Sequence, residues 1–268
     1  MIKPARRIRS GRRPSEGEGD GSVRAVRRAL AILRAFRLTD RSLALGEIAQ
    51  RAALDKGTTR RLLITLMKEH LIDQNAETKN YSLSLGVLEL GAGLTPCDDL
   101  RQRAQPVLAA IAEATGATTF LGVFHDDAAL CIGRVDGGQA IQIRSWSIGG
   151  RIPLHCGAGP RVLMAHRPES EQQRLLAQPL EALTPFSPCD PEALTGILTG
   201  IRSRGWELGI NDVVEGLTSL GVPVHDRTGA VIGAVSISGL HAHIVDGDRP
   251  RHLAILQRKM QELANAVG

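Results

Sequence analysis

Apolar positions along this chain recur with two different periods. From Ser22 onward Val23, Val26, Leu30, Leu33 and Phe36 fall at helical spacing, and Ser22 is suited to cap the helix they define. Gly46-Glu47-Ile48-Ala49 opens a second helix, with Gly46 as its cap, and Ala53-Leu54 reads as a turn. Asp55 is placed to cap a third helix from Lys56 to about Glu69, its carboxylate accepting free backbone N–H groups. Leu71-Ile72 and Tyr81-Ser82-Leu83 read as strands joined by a polar, turn-rich loop over 73–80. Between Ser84 and Leu94, Leu85, Leu88 and Leu90 among three glycines suggest a connecting helix or a hinge. Pro96 and Asp98-Asp99 start a longer helix to about Thr115, in which Pro106 predicts a kink or a restart.

Beyond Gly116 the period shortens. Thr118–His125, Ala128–Val135 and Ala140–Ser147 are β-rich runs separated by Asp126-Asp127 and Gly137-Gly138. Helices are expected from near Gly157 to His166, after Pro168, and from Pro191 to Arg204. Strands follow near Trp206–Ile210, Leu220–Val224 and Val231–Ser238, and an amphipathic helix over Asp246–Val267 closes the chain. The order predicts an α+β domain on an antiparallel sheet.

At 100° per residue, the third helix places Thr59, Leu62, Leu63 and Leu66 on one face, expected to pack on Val26, Leu30 and Ile48. Gly57, Arg60, Arg61, Ile64 and Lys68 fall on the other face, with Thr58 and Thr65 at the margins. A helix, a short turn, a second helix and a polar hairpin form the order of a winged helix-turn-helix. Its outward face carries what a DNA major groove requires. Arg is bidentate to guanine or phosphate, Thr donates to phosphate, and Ile64 meets a thymine methyl. Lys56 opens this helix, and Lys79 and Asn80 on the wing are placed to reach flanking phosphates. The plainer alternative is an exposed basic helix with no partner.

Charge bears on that choice. Residues 1–80 hold 18 Lys and Arg against 9 Asp and Glu, whereas the remaining residues hold 15 against 19. The asymmetry points to one end that meets a polyanion. Residues 1–21 contain six basic residues and then a Gly, Glu and Asp run, so a disordered basic arm is expected there. Met1–Arg13 lacks the apolar centre of a secretory signal, and no apolar run nears the roughly 20 residues that span a bilayer. A cytoplasmic protein with no membrane partner is expected. Cys97, Cys131, Cys156 and Cys189 show no metal-ligand spacing and read as neutral or buried thiols.

Several stretches resemble the IclR family of bacterial transcriptional regulators. They are S-V-R-A-V-R-R-A-L-A-I-L, then E-I-A-x-R-A-x-L-D-K-G-T-T-R-R-L-L-x-T-L, then Y-S-L-S-L-G. In the second half, G-G-R-I-P-L-H-C-G-A-G-P-R-V-L-M-A, R-S-R-G-W-E-L-G-I-N-D-V-V-E-G-L-T-S-L-G-V-P-V and G-A-V-S-I-S-G are similar to later family signatures. The likeness spans about residues 22–266. It implies a winged helix-turn-helix at 22–84, a linker at 85–96 and a GAF- or PAS-like effector-binding and oligomerisation domain at 97–268. It also implies a double-stranded DNA operator, a small organic-acid effector and pairing into a homodimer or a dimer of dimers. No cofactor or metal is implied. The chain departs from the family at Gly57, usually Ser, and at Arg60, often His. His70 stands where Gly is usual and is expected to take a left-handed conformation. Pro160-Arg161 replaces a usual Gly-Lys, and Gly209 stands where other members carry a pocket acid, with Asp212 the nearest acid.

The residues permit an effector site physically. Gly157, Ala158 and Gly159 before a helix are expected to leave backbone N–H groups open to an anion. Ser219, Ser236 and Ser238 match family pocket positions, and Ser236 and Ser238 alternate along one strand and share a face. Trp146 and Phe120 are candidate walls, or ordinary core. Arg144 or Arg151 is a candidate for a ligand carboxylate, against the alternative of surface ion pairing. Enzyme motifs are missing: no G-x-S-x-G, H-E-x-x-H, Walker A or dinucleotide fingerprint occurs. His155-Cys156 are neighbours in sequence rather than a spatial pair, and His241 with His243 lacks a third ligand. No enzyme is expected. A winged-helix protein that binds RNA or another protein is the remaining alternative.

Overall fold

The computed structural model describes residues 22–37, 40–93, 95–138, 143, 146–247 and 249–266. The basic arm over 1–21, Arg144 and most of the strand expected over 140–147 lie outside these residues. The chain divides into two compact units between Leu90 and Gly91.

The first unit runs α1 (Arg24–Leu33), α2 (Leu45–Arg51), α3 (Lys56–Lys68), β1 (Ile72–Gln74), β2 (Tyr81–Leu83) and α4 (Gly86–Gly91). Its core gathers Ile32 and Ala35 with Leu43, Ile48, Leu63, Leu66, Ile72 and Tyr81. Leu43 bridges to Tyr81 by two backbone hydrogen bonds of 2.8 Å, adding a third segment to the wing sheet. Asp55 accepts the Thr58 N–H at 2.8 Å, which caps α3. At the other end His70 takes a φ of 56°, the left-handed turn that ends the helix.

Three local expectations fail in this unit. Val23, not Ser22, stands at the N-cap of α1, and the Ser22 hydroxyl accepts from the Arg27 guanidinium instead. Val26 and Leu30 are exposed, so α1 does not present them to α3. Ile32 lies half a turn around from Val23, and the helix packs through that side, leaving Val23, Val26 and Leu30 as a second apolar stripe facing out. α2 begins at Leu45 rather than after Gly46, where Glu47 reaches back to the Ala44 N–H at 3.0 Å.

The second unit runs α5 (Thr95–Thr115), β3 (Thr118–His125), β4 (Ala128–Val135), β5 (Arg151–Pro153), α6 (Ala158–Ala165), α7 (Glu169–Leu176) and α8 (Pro191–Arg204). It continues with β6 (Glu207–Ile210), β7 (Leu217–His225), β8 (Val231–Leu240), α9 (His241–Ile244), β9 (Val245–Asp246), β10 (Arg249–Pro250) and α10 (Leu253–Ala266). Six strands form an antiparallel sheet in the order β5-β4-β3-β8-β7-β6. Alternation along β8 divides two cores: Val235 and Ile237 join Leu108 and Ile111 of α5 and Leu256 and Leu263 of α10, while Ala234 turns to Val162 and Met164 of α6. Two helices thus cover one face and α6 with α8 the other, an α+β domain as the sequence predicts. α5 runs through Pro106 as one helix.

Two corrections apply here. The edge strand β5 at Arg151–Pro153 pairs with Ala128–Leu130, a strand too short to register in the sequence pattern. The last helix starts at Leu253 instead of Asp246, because Val245 and Asp246 pair back with Pro250 and Arg249 in a small hairpin.

Candidate functional site

On α3 the buried side is Thr59, Leu63 and Leu66. Lys56, Gly57, Arg60, Arg61, Ile64, Thr65 and Lys68 are exposed, and Thr58 is half-buried. Thr59 donates to the Asp55 carbonyl at 2.8 Å, which places its hydroxyl inside, and Thr65 donates to the Arg61 carbonyl at 3.3 Å. The Thr58 N–H, with its hydroxyl, holds the Asp55 carboxyl below the usual carboxylate range. Among the described residues, Lys56, Arg60, Arg61 and Lys68 make no ion pair or hydrogen bond through their side chains. On the wing, the Asn75 carboxamide oxygen accepts from the N–H groups of Glu77 and Thr78 at 3.0 and 2.8 Å. That turn fixes Lys79 at a φ of 59° with its ammonium exposed, and leaves Asn80 half-buried beside it.

The second unit holds a cavity of about 430 Å³ of empty space counted to its mouth, between α6, the strands β3, β6, β7 and β8, and the segment over 211–217. Of the residues offered from the sequence, Phe120, Trp146, Gly157, Ala158, Gly159, Asp212, Ser219, Ser236 and Ser238 line it, whereas Arg151 does not. Phe120 and Trp146 stack at 5.7 Å between ring centroids along one wall, and the indole N–H donates to the Gly150 carbonyl at 3.1 Å. Ile152, Val213, Val214, Leu217 and Thr218 also line the cavity and were not foreseen. They come from segments that only the sheet register brings together: Ser219 lies opposite both Ser238 and Gly209, and Ser236 opposite Phe120 and Gly221.

Gly221 shows how closely α6 lies on the sheet. A methyl group there would stand 2.7 Å from the Gly159 nitrogen, so glycine is what permits the approach. The first amides of α6 are not open as the sequence suggested. Gly157 N–H donates to the Asp212 carboxylate at 2.9 Å, and Ala158 N–H to the Ser219 hydroxyl at 3.1 Å. The protein's own side chains fill the positions, because Gly209 leaves them the space. The Gly159 N–H and the hydroxyls of Ser236 and Ser238 have no partner among the described residues.

Behind the cavity Arg161, buried in place of the usual Lys, is the hub of a charge network. It contacts Glu207 at 3.0 Å, the carbonyls of His155 and Leu208 at 3.1 and 2.8 Å, and the Asp212 carboxylate, while Arg204 pairs with the other oxygen of Glu207. Arg151 lies on the surface, paired with Asp126 at 3.3 Å, and does not enter the cavity. His155 donates to the Glu181 carbonyl at 3.0 Å, and burial pushes its pKa below the ordinary histidine value. Burial raises the thiols of Cys156 and Cys131 to about 11 and about 12, so neither is a ready nucleophile. His241 contacts the Thr218 hydroxyl and His243 the Thr115 carbonyl, and the described residues form no metal-binding cluster.

The IclR helix-turn-helix domain matches residues 25–76, and the bacterial transcriptional regulator IclR C-terminal domain matches residues 95–265. The chain belongs to the IclR family. It is an IclR-type transcriptional regulator, with relatives of known role. Over 247 residues it is 32% identical to the HTH-type transcriptional regulator XynR of Escherichia coli, covering 92% of this chain and 98% of the relative. It is also 32% identical over 222 residues to the glycerol operon regulatory protein of Streptomyces coelicolor, covering 81% and 85%. Among solved structures, an IclR regulator from Alicyclobacillus acidocaldarius has 27% identity and a TM-score of 0.79, covering 92% of this chain and all of that one. An IclR homolog from Microbacterium hydrocarbonoxydans, complexed with 4-hydroxybenzoate, shares the fold at a TM-score of 0.81 and 22% identity, covering 91% and 98%. No helix of the described IclR chain is long and apolar enough to cross a membrane.

Proposed function

We propose that this IclR regulator reads an operator in duplex DNA through α3 and the wing, and that a small organic metabolite, a carboxylate, modulates that binding from the cavity of its C-terminal domain. The observation that carries the DNA reading is the row of exposed cations on α3 with no partner among the described residues. Buried or paired arginines would be unable to meet a groove, whereas Arg60, Arg61 and Lys68 are free to. Lys56, Gly57, Thr58, Ile64 and Thr65 complete that face, and Lys79 and Asn80 reach the flanking backbone. The effector reading is supported by the unpaired hydroxyls of Ser236 and Ser238 facing a cavity walled by Trp146 and Phe120. The 4-hydroxybenzoate complex of the Microbacterium homolog supports the same class of ligand.

In this reading residues 22–84 bind DNA, 85–96 link, 97–268 sense and oligomerise, and the protein acts in the cytoplasm. Pairing as a homodimer or a dimer of dimers is supported by the exposed stripe Val23, Val26 and Leu30 on α1 and by Leu85, Leu88 and Leu90 around α4. One recognition helix covers one half-site, so paired subunits are needed for a long operator.

The test begins with genomic fragments that the protein retains, followed by anisotropy titration of one operator with and without organic acids. The expected result is a two-fold symmetric site and an affinity shifted by about 1–3 kcal/mol by the effector. Ser236→Ala combined with Ser238→Ala is expected to abolish the shift and leave ligand-free operator binding intact. A full response in that double variant removes the serines from the site. Light scattering that gives a monomer with full operator affinity refutes pairing.

A further inference from the structure

The cavity carries an acid of its own where an acid from outside is expected to dock. A helix N-terminus attracts an anion through its free amides, yet Asp212 takes Gly157 N–H at 2.9 Å and also pairs with Arg161. Arg161, behind the cavity, is further spent on Glu207 and on two carbonyls, and no Lys or Arg among the described residues lines the cavity itself. Of the first amides of α6, only that of Gly159 is left without a partner among the described residues, beside the hydroxyls of Ser236, a residue 3% exposed, and of Ser238. Among the described residues the cavity therefore offers neutral donors beside a buried carboxylate, with no unspent positive charge.

Gly209 explains how the acid reaches its seat. A methyl group at 209 would stand 2.8 Å from Asp212 Oδ1 and 2.7 Å from Ser219 Oγ. Two carboxylates sharing one amide and one guanidinium out of water repel each other, so the seat holds one of them at a time. Resting on the reading of this cavity as a carboxylate site, we propose that Asp212 is a built-in competitor that sets which acids bind: an incoming carboxylate takes Gly157 N–H and Arg161 from it. Asp212 then moves outward with the segment over 211–216. That segment is tied to a neighbouring loop, since the Thr184 hydroxyl donates to the Asn211 carbonyl and the Ser187 hydroxyl to the Asp212 carbonyl, each at 2.7 Å. Ligand entry is thereby felt at the surface around Phe186, which is exposed.

The test is titration calorimetry of the full chain and of Asp212→Asn with acetate, lactate and benzoate, each against its neutral amide. Asn keeps an acceptor for Gly157 N–H and releases the charge of Arg161. At least one carboxylate is expected to bind the variant about tenfold tighter or more, and its amide to change by less than about twofold. Hydrogen exchange of the unmutated chain supplies a second measurement that does not depend on the variant folding. Amides over 207–219 are expected to exchange faster with the binding carboxylate and not with the amide. A carboxylate that binds the parent but gains nothing in Asp212→Asn, or that slows exchange in this segment, overturns the competitor role and leaves the effector reading standing. Failure of every carboxylate to bind either protein, while an amide binds, refutes the carboxylate reading and this inference with it.

Discussion

The outward face of α3 and the cavity under α6 solve opposite problems. Arg60, Arg61 and Lys68 are exposed with no partner among the described residues, so their charge is available to any polyanion of the right shape. In the cavity nearly every strong group is already committed: Asp212 to Gly157 and Arg161, Ser219 to Ala158, and Arg161 to Glu207. A convex surface keeps its recognition groups free because solvent satisfies them until the partner arrives. A concave site with less of that solvent satisfies its charged groups internally, and a ligand that takes those groups must exchange bonds rather than add them. The two halves of this regulator should accordingly respond to substitution in different ways.

The largest expected effect lies in the cavity half. Arg161→Ala leaves Glu207 and Asp212 buried without their common partner and should cost about 3–5 kcal/mol of unfolding free energy. Both tryptophans, Trp146 and Trp206, lie in the second unit, and the single tyrosine, Tyr81, in the first. Urea unfolding followed by tryptophan fluorescence should therefore move while the tyrosine signal holds. Equal movement of both signals would show the contrast between the halves to be false. Next in size, Arg60→Ala or Arg61→Ala should weaken operator binding by roughly 1–3 kcal/mol without changing stability, if that arginine reads a base. A phosphate role should instead weaken all sequences alike and flatten the salt dependence, which anisotropy at several salt concentrations separates. An unchanged double variant would take α3 out of the groove.

The smallest effect concerns pH. Burial holds His155, His225 and His252 below the ordinary histidine value. Below about pH 6.5 the unfolded chain takes up protons that these folded histidines refuse. The unfolded state then binds more protons, so stability should fall as the pH drops from 6.5 through the lowered folded values. His155→Gln should flatten the slope in tryptophan-monitored melts, whereas an unaltered slope would remove His155 from the effect.

Legibility in the sequence follows the same division. α8 reads directly, since Asp190 caps it, Pro191 opens it and Gly205 closes it at a φ of 76°, all within one local stretch. The exposed face of α3 and the left-handed His70 are equally local. What escaped depends on partners far along the chain. The inward side of α1 is chosen by where α2 and α3 lie, so Val26 and Leu30 look like core and are not. The occupied amides of Gly157 and Ala158 need Asp212 and Ser219, some 55 and 61 positions away, brought in by the pairing of β6 with β7. The hairpin of Val245–Asp246 with Arg249–Pro250 is two residues to a side, too brief to leave a periodic trace.

All eight residues of α6, from Ala158 to Ala165, are buried. A helix with no watered side has little room for a new side chain, because away from the cavity that Ala158, Gly159 and Pro160 line, added volume meets protein. On the effector reading proposed above, drift in ligand specificity is channelled away from the helix that heads the cavity. It has to run through the segment over 211–217 and the aromatic wall, where Val214 still touches solvent. An engineer seeking a new effector should randomise that rim and leave the helix alone.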